Sequence, residues 1–248
     1  MSAPSGTDAC SFLGQVLPES GYSTLCAINP KKRDDCRGRS VSRDTLSDPA
    51  LACWLEEHQD FNLYFTPNTV ARVLNKKPIK DDISVFRWVH LDLDPPDKSV
   101  PSEEWQTATL ERLRAYRLPP SVVVFSGGGY QAFWLLRDPV KVNGNIEQLE
   151  AANKRVIADL GGDTGTHNLD RVMRLPGTTN WPTATKKKRG RVPVEARLLE
   201  VHLDRTYDFD EFTNPEARDE PVDRSRDLLK KVGADKRAGL NNDEVHQR

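Results

Sequence analysis

The residues of this chain best suited to chemistry are carboxylates, glycines and arginines, and they gather in three short segments. The first, VFRWVHLDLD (residues 85–94), ends in Asp92 and Asp94. Two carboxylates at i and i+2 on a strand point the same way a few ångströms apart. Like charges that close raise each other's pKa unless a cation neutralises them. Oxygen-only ligands suit Mg²⁺ or Mn²⁺, which are often held by one or two carboxylates together with substrate phosphates. A pair of solvated acids at a strand end is the plain alternative. The second segment, SGGGYQAFWLL (residues 126–136), carries Ser126 and the glycines Gly127, Gly128 and Gly129. Backbone N–H groups there can approach phosphate oxygens closely, although a simple hairpin turn asks for glycine too. The third, GGDTGTHNLDRVMRLPGTTN (residues 161–180), holds Asp163 and Asp170, then Arg171 and Arg174 at i and i+3, then Asn180. The planar fork of arginine suits phosphate, and a third carboxylate could complete a two-metal site for in-line phosphoryl displacement. A salt-bridged surface loop would share this composition. His90 and His167 read as structural residues rather than ligands.

The elements that must position these groups follow from periodicity. The segment Val85–Asp94 predicts a strand with Val85, Val89, Leu91 and Leu93 on one face and Trp88, His90, Asp92 and Asp94 on the other. Pro95 and Pro96 end it. Ser102 is placed to cap a helix running to about Arg117, with Glu103 and Glu104 at its positive end and Trp105, Ala108, Leu113 and Tyr116 on one stripe. Ser121–Phe125 and Tyr130–Leu136 read as strands around the glycine turn, and Asn145–Leu160 as a helix stopped by Gly161 and Gly162. Further strands are expected at Asn62–Thr66, Arg171–Leu175 and Val192–Leu203, a short helix at Pro49–Glu57, and a helical turn at Thr69–Asn75. The apolar run Phe12–Leu17 is expected to pack on the main domain, Asn29–Arg43 to form a loop, and Asp223–Val232 an amphipathic helix. Irregular alternation with a hairpin predicts an α+β fold with a mixed sheet rather than a doubly wound parallel one.

Composition narrows the setting. With 36 basic and 37 acidic residues the net charge is −1, less basic than a dedicated duplex-DNA binder. Charge is unevenly placed, however: Lys31, Lys32, Arg33, Arg37, Arg39 and Arg43 cluster, and so do Lys186, Lys187, Lys188, Arg189 and Arg191. No stretch approaches the roughly 18 apolar residues of a membrane helix, and the first residues lack a signal peptide's pattern. A cytoplasmic setting without membrane contact is therefore expected. Cys10, Cys26, Cys36 and Cys53 form no CxxC pair and read as free thiols.

Taken in order, the apolar strand ending in DxD, the SGGGY turn followed by a polar residue, and an acid ahead of RxxRLPGTxN resemble the archaeo-eukaryotic primase superfamily. The resemblance spans roughly residues 60–200 and is greatest to the primase-polymerase branch of plasmids, phages and other mobile elements, including RepB-type primases. It implies a modified RNA-recognition-like catalytic core with flanking helices and an N-terminal α/β extension. The catalytic domain would span residues 1–205, as an N-terminal part of about 1–80 and a motif-bearing core of about 81–205, with 206–248 a polar, partly helical tail. The implied activity is primer synthesis and extension on single-stranded DNA by two-metal nucleotidyl transfer, with Mg²⁺ or Mn²⁺ as cofactor and nucleoside triphosphates as substrates. Asp92 and Asp94 fall on the metal-binding pair. The spacing in relatives selects Asp163 as third ligand, with Asp170 in reserve. Ser126 to Gln131, Arg171, Arg174 and Asn180 fall on nucleotide contacts, and the basic run Lys186–Arg191 is expected to track the template. The resemblance also implies a longer replication protein, with a helicase in the same or a neighbouring chain. Gln131 departs from the pattern, since many members carry histidine there; glutamine donates a hydrogen bond to phosphate but no charge. A catalytically weak replication-initiator or single-stranded-DNA-binding module, and a two-metal nuclease, are the rival readings.

Overall fold

The computed structural model describes residues 6–96 and 100–214. In chain order the elements are α1 (Gly6–Val16), β1 (Ser23–Ile28), β2 (Cys36–Val41), α2 (Pro49–Glu57), β3 (Asn62–Phe65), β4 (Thr69–Val70), β5 (Ile83–Leu93), α3 (Glu103–Ala115), β6 (Val122–Phe125), β7 (Tyr130–Lys141), α4 (Ile146–Leu160), β8 (Met173–Arg174), β9 (Thr179–Asn180), α5 (Ala184–Lys188), β10 (Val194–Glu195), β11 (Arg197–Val201), β12 (Thr206–Tyr207) and α6 (Asp210–Thr213). The architecture is α+β, as expected. The helix expected at Asp223–Val232 lies outside the described residues.

The main sheet runs β11-β6-β7-β5-β4, with β12 added parallel to β7. A second, antiparallel sheet runs β2-β1-β3-β8. Strand alternation sends Val89, Leu91, Leu93, Val123, Ala132 and Trp134 into a core that also takes Leu113 of α3 and Leu149, Val156 and Leu160 of α4. The other face sends Trp88, Val122, Val124 and Phe133 against Phe12 and Leu13 of α1, Leu51 and Leu55 of α2, and Leu25, Leu63 and Phe65 of the second sheet. Three layers result, and the chemical residues of β5 and β7 face the second sheet. No helix among the described residues is long and apolar enough to cross a membrane.

Local signals explain several boundaries. Asp48 caps α2 by accepting from the Ala50 N–H at 2.8 Å, with Pro49 in the first turn. Ser102 caps α3, accepting from Trp105 N–H at 3.1 Å. Gly161, at φ 69°, ends α4 in the left-handed conformation that glycine adopts without a Cβ penalty.

Four expectations are corrected. Asn29–Arg43 is not a loop throughout: Cys36–Val41 is β2, paired with β1 from Ser23↔Val41 to Ile28↔Cys36. Its charged, half-exposed side chains hide a strand whose order comes from backbone pairing at a sheet edge. Thr69–Asn75 begins as β4 rather than as a helical turn, because Thr69 and Val70 pair with Val85 and Ile83. In β5 the alternation breaks at a bulge between Phe86 and Trp88, so Phe86 joins Val89 and Leu91 while Val85 is only half-buried. On α3, Ala108 is exposed, and Thr109 and Leu113 are the buried positions. The four cysteines are free thiols, as expected.

Candidate active site

Beyond β4 the outer edge of β5 has no neighbouring strand among the described residues, and side chains satisfy its backbone. Asn68 Oδ1 accepts the N–H groups of Arg87 and Trp88 (3.0 and 3.2 Å), and Asn153 Oδ1 accepts that of His90 (3.0 Å). One step further on, the Asp92 carbonyl accepts the Asp163 N–H at 3.0 Å. This bond sets the third segment against the acid strand. It requires Gly162, where a Cβ would lie 2.3 Å from Leu91 Cδ1 and 3.1 Å from the Asp92 carbonyl oxygen. Asp163 itself caps a short 3₁₀ turn, accepting from Gly165 N–H at 2.9 Å.

On its inner side Asp92 stands directly opposite Gln131 of β7. Gln131 Nε2 donates to Asp92 Oδ1 at 3.4 Å, and Arg171 Nη2 lies 3.4 Å from Asp92 Oδ2. Burial pushes the Asp92 carboxyl above the usual carboxylate range. Asp94 and Asp163 push it the same way, against the pull of Arg171 and Gln131. Asp163 thus adds its charge to the surroundings of Asp92, while one carboxylate oxygen of the reserve acid Asp170 is buried without a hydrogen-bond partner.

The glycine turn lies on the end of this strand pair. Gly129 presses against β5 so closely that a Cβ would be 2.0 Å from the Leu93 carbonyl oxygen and 2.9 Å from Asp94 Oδ1. Gly127 takes φ 80°, and Ser126 closes the turn through Gly129 O to its own N–H (2.9 Å) and hydroxyl (3.1 Å). From behind, Asn180 Nδ2 donates to Ser126 O at 2.7 Å and Arg191 Nη1 to Gly128 O at 3.0 Å. Arg191, expected among the template contacts, is buried and braces this turn.

Arg174, expected as a nucleotide contact, is 4% exposed. Its guanidinium donates to Asn62 Oδ1, Tyr64 Oη and Asn180 Oδ1, each at 2.9 Å, and lies over the Tyr64 ring at 4.2 Å. Its backbone N–H donates to Gln131 Oε1 at 2.8 Å. Burial pulls its pKa down, opposed by Tyr64 and Asp92. Arg174 therefore ties the second sheet to the acid strand and to the glycine turn. The sequence reading missed Asn62 and Tyr64. The available signal was two polar side chains at i and i+2 on the short, mostly buried strand NLYF.

Asn62, Tyr64, Asn180, Thr183 and Lys186 line a chamber of about 130 Å³ beside Arg174. Burial lowers the Lys186 pKa, and the charges of Asp94 and Asp92 act in the opposite sense. Lys187, Lys188 and Arg189 are exposed on α5 and just beyond it. His90 is fully buried with Nε2 facing the Thr166 carbonyl at 3.1 Å, and burial pushes its pKa down to about 4. It is a structural residue, as is His167, whose Nδ1 faces the Thr164 carbonyl at 2.8 Å.

Asp92 and Asp94 supply oxygen donors, and their crowding with Asp163 is the charge build-up that a divalent cation relieves. Among the described residues no group of three or more His, Cys, Asp or Glu side chains is placed to hold a metal ion by itself. An open pair of carboxylates suits Mg²⁺ or Mn²⁺ completed by substrate oxygens. The donor set fits.

Known proteins share this arrangement of layers. The primase domain of the cyanophage S-2L primase-polymerase superposes with a TM-score of 0.58 at 18% identity, covering 84% of this chain and 96% of that one. The chain has the fold of an archaeo-eukaryotic primase domain. The primase RepB′ gives a TM-score of 0.55 at 15% identity, over 92% of this chain and 69% of that one. The catalytic domain of RepB′ in complex with initiator DNA gives 0.54 at 15% identity, over 92% and 98%. By sequence, residues 103–223 match the model of the RepB DNA-primase N-terminal domain, a stretch that includes the glycine turn and the arginine segment and begins after Asp94. A search of curated proteins gives no match. On this primase fold, the three segments read from the sequence meet at one end of the β5–β7 pair.

Proposed function

We propose that this domain is a template-dependent DNA primase-polymerase that joins nucleotides on single-stranded DNA, in the replication of a plasmid, phage or similar element. The observation that carries the reading is the contact of Gly129 with Leu93 and Asp94, which sets a phosphate-cradling turn directly on a pair of carboxylates. Asp92, Asp94 and Asp163 would hold Mg²⁺ or Mn²⁺, which when bound lowers the pKa of an attacking hydroxyl and neutralises triphosphate charge. The chain's own groups position the reactants. The free N–H groups of the glycine turn and the Lys186 ammonium face the phosphates. Arg171, paired with Asp92 in this structure, would turn to them. Asn180, Arg191 and Arg174 hold the turn and the chamber still. Chemistry of this kind needs orientation and charge neutralisation more than a dedicated protein base.

One observation favours a binding module with weak synthesis: the Gln131 amide is engaged by Asp92 and by the Arg174 N–H, so position 131 presents no charge to a phosphate. Calorimetric titration with a non-hydrolysable nucleoside triphosphate and Mn²⁺ separates the two. Synthesis requires Mn²⁺-dependent nucleotide binding that Asp92→Asn weakens at least tenfold. Binding of single-stranded DNA with no nucleotide binding would sink the polymerase reading.

A further inference from the structure

Next to the chamber beside Arg174 lies a second, larger cleft of about 670 Å³. The two share Pro30, Arg33 and Thr183. Lys31 and Arg33 enter it from the β1–β2 turn and Lys187 from α5, and Trp181 and Asp60 also line it. Such a cleft on a protein of net charge −1 is not explained by general basicity.

The turn and the indole are held in place. Asn29 closes the β1–β2 turn: its N–H donates to the Asp35 carbonyl at 3.0 Å, its Nδ2 donates to Asp35 Oδ2 at 3.0 Å, and its Oδ1 accepts the Lys31 N–H at 2.9 Å. Trp181 is fixed at three points. Its N–H and carbonyl both bond the Asn62 amide (2.8 and 2.9 Å), and its indole Nε1 donates to the Gln59 carbonyl at 2.9 Å. Asn62 is the same residue that accepts from Arg174, so the indole is linked to the acid strand through Asn62, Arg174 and Gln131. Among the described residues neither Lys31, Arg33 nor Lys187 has an ion-pair partner, and Asp60 is the one carboxylate in the lining.

A rigid aromatic face flanked by unpaired cations is the combination that binds single-stranded nucleic acid without sequence preference. Bases stack on the ring while the cations follow the backbone. A nucleoside triphosphate has its own phosphate cradle at the glycine turn and Lys186, which leaves these three cations for a different polyanion. We infer that this cleft is where the single-stranded DNA template lies, with a base stacked on Trp181 and its phosphates on Lys31, Arg33 and Lys187. The inference rests on the synthesis reading for the word template, but the binding it describes can be measured alone.

The test uses the full chain and a fluorescein-labelled oligodeoxythymidylate of about 20 nucleotides, longer than a typical site of 4–16. Anisotropy titrations should show the Lys31→Ala, Arg33→Ala, Lys187→Ala triple variant binding about tenfold more weakly in moderate salt. Its slope of log affinity against log salt should be shallower by about 2, three contacts at roughly 0.7 each. Trp181→Leu should bind about tenfold more weakly, and Trp181→Phe should stay within about threefold of wild type, since a π-face is retained. Thermal melts would establish that each variant is folded. Wild-type affinity in both the triple variant and Trp181→Leu would overturn the inference. So would weakened triphosphate binding with unchanged DNA binding, which would make the cleft part of the nucleotide site. A wild-type chain that binds DNA through these residues yet incorporates nothing would leave the inference standing and sink the synthesis reading; incorporation with DNA affinity indifferent to the variants would do the reverse.

Discussion

Asp92 on β5 and Gln131 on β7 form a directly opposed cross-strand pair, and the Gln131 amide joins the acid to the Arg174 backbone. Its nitrogen donates to the carboxylate at 3.4 Å, and its oxygen accepts the Arg174 N–H at 2.8 Å. An amide can do both at once because it carries a donor and an acceptor on one planar group.

Gln131→Ala should therefore lower stability by about 1–3 kcal/mol in urea unfolding, the usual cost of leaving a buried N–H without its acceptor. Gln131→Glu keeps an acceptor but sets a second carboxylate opposite Asp92, raising the Asp92 pKa further. The acid limb of its incorporation profile should move to higher pH than in wild type. Stability of Gln131→Ala within about 0.5 kcal/mol of wild type would contradict the bridging role.

Arg174 serves three acceptors on two strands, β3 and β9, which an ammonium cannot reach together. Arg174→Lys should cost about 3 kcal/mol of stability and weaken nucleotide binding at least tenfold, despite keeping the charge. Nucleotide affinity within twofold of wild type would show that charge alone matters there.

Gly129→Ala places a Cβ 2.0 Å from the Leu93 carbonyl, a backbone atom that cannot swing away. The turn must lift off the acid pair, at a cost of about 1–3 kcal/mol and a fall in incorporation of at least tenfold. Gly14→Ala, inside α1 with its new methyl 3.7 Å from Leu46 Cδ1, should instead stabilise the fold by about 0.5–1 kcal/mol. Equal thermal midpoints for the two variants would refute the difference in packing.

Much of this arrangement was legible beforehand, and the failures share a cause. The phase of β5 near Asp92, the cap Ser102 and the stop at Gly161 are local signals, and they agree with the structure. The edge strand β2 was hidden because its order comes from pairing with β1, not from its own charged pattern. The roles of Arg174 and Arg191 were equally out of reach. Arginine spacing suggests phosphate, whereas burial among Asn62, Tyr64 and Asn180, or behind Gly128, depends on segments more than 60 residues away in most of these contacts.

His90 is buried with a pKa near 4, against about 6.5 in an unfolded chain. Above pH 6.5 it is neutral in both states and makes no difference. As pH falls from about 6.5 to about 4 the unfolded chain takes up the proton first, so stability is lost across that window, by about 3 kcal/mol at most. Unfolding free energies of wild type should fall over this range, and those of His90→Gln should fall less. Parallel curves for the two proteins would assign the acid sensitivity elsewhere.

Nucleotide incorporation is the decisive measurement for the proposed chemistry. Wild-type chain, single-stranded DNA, labelled nucleoside triphosphates and Mg²⁺ or Mn²⁺ should yield labelled oligomers. An Asp92→Asn, Asp94→Asn variant that melts normally and still binds the template should yield roughly a thousandfold fewer. Oligomers absent from the wild-type reaction, made equally by the variant, or replaced by shortened template would contradict it.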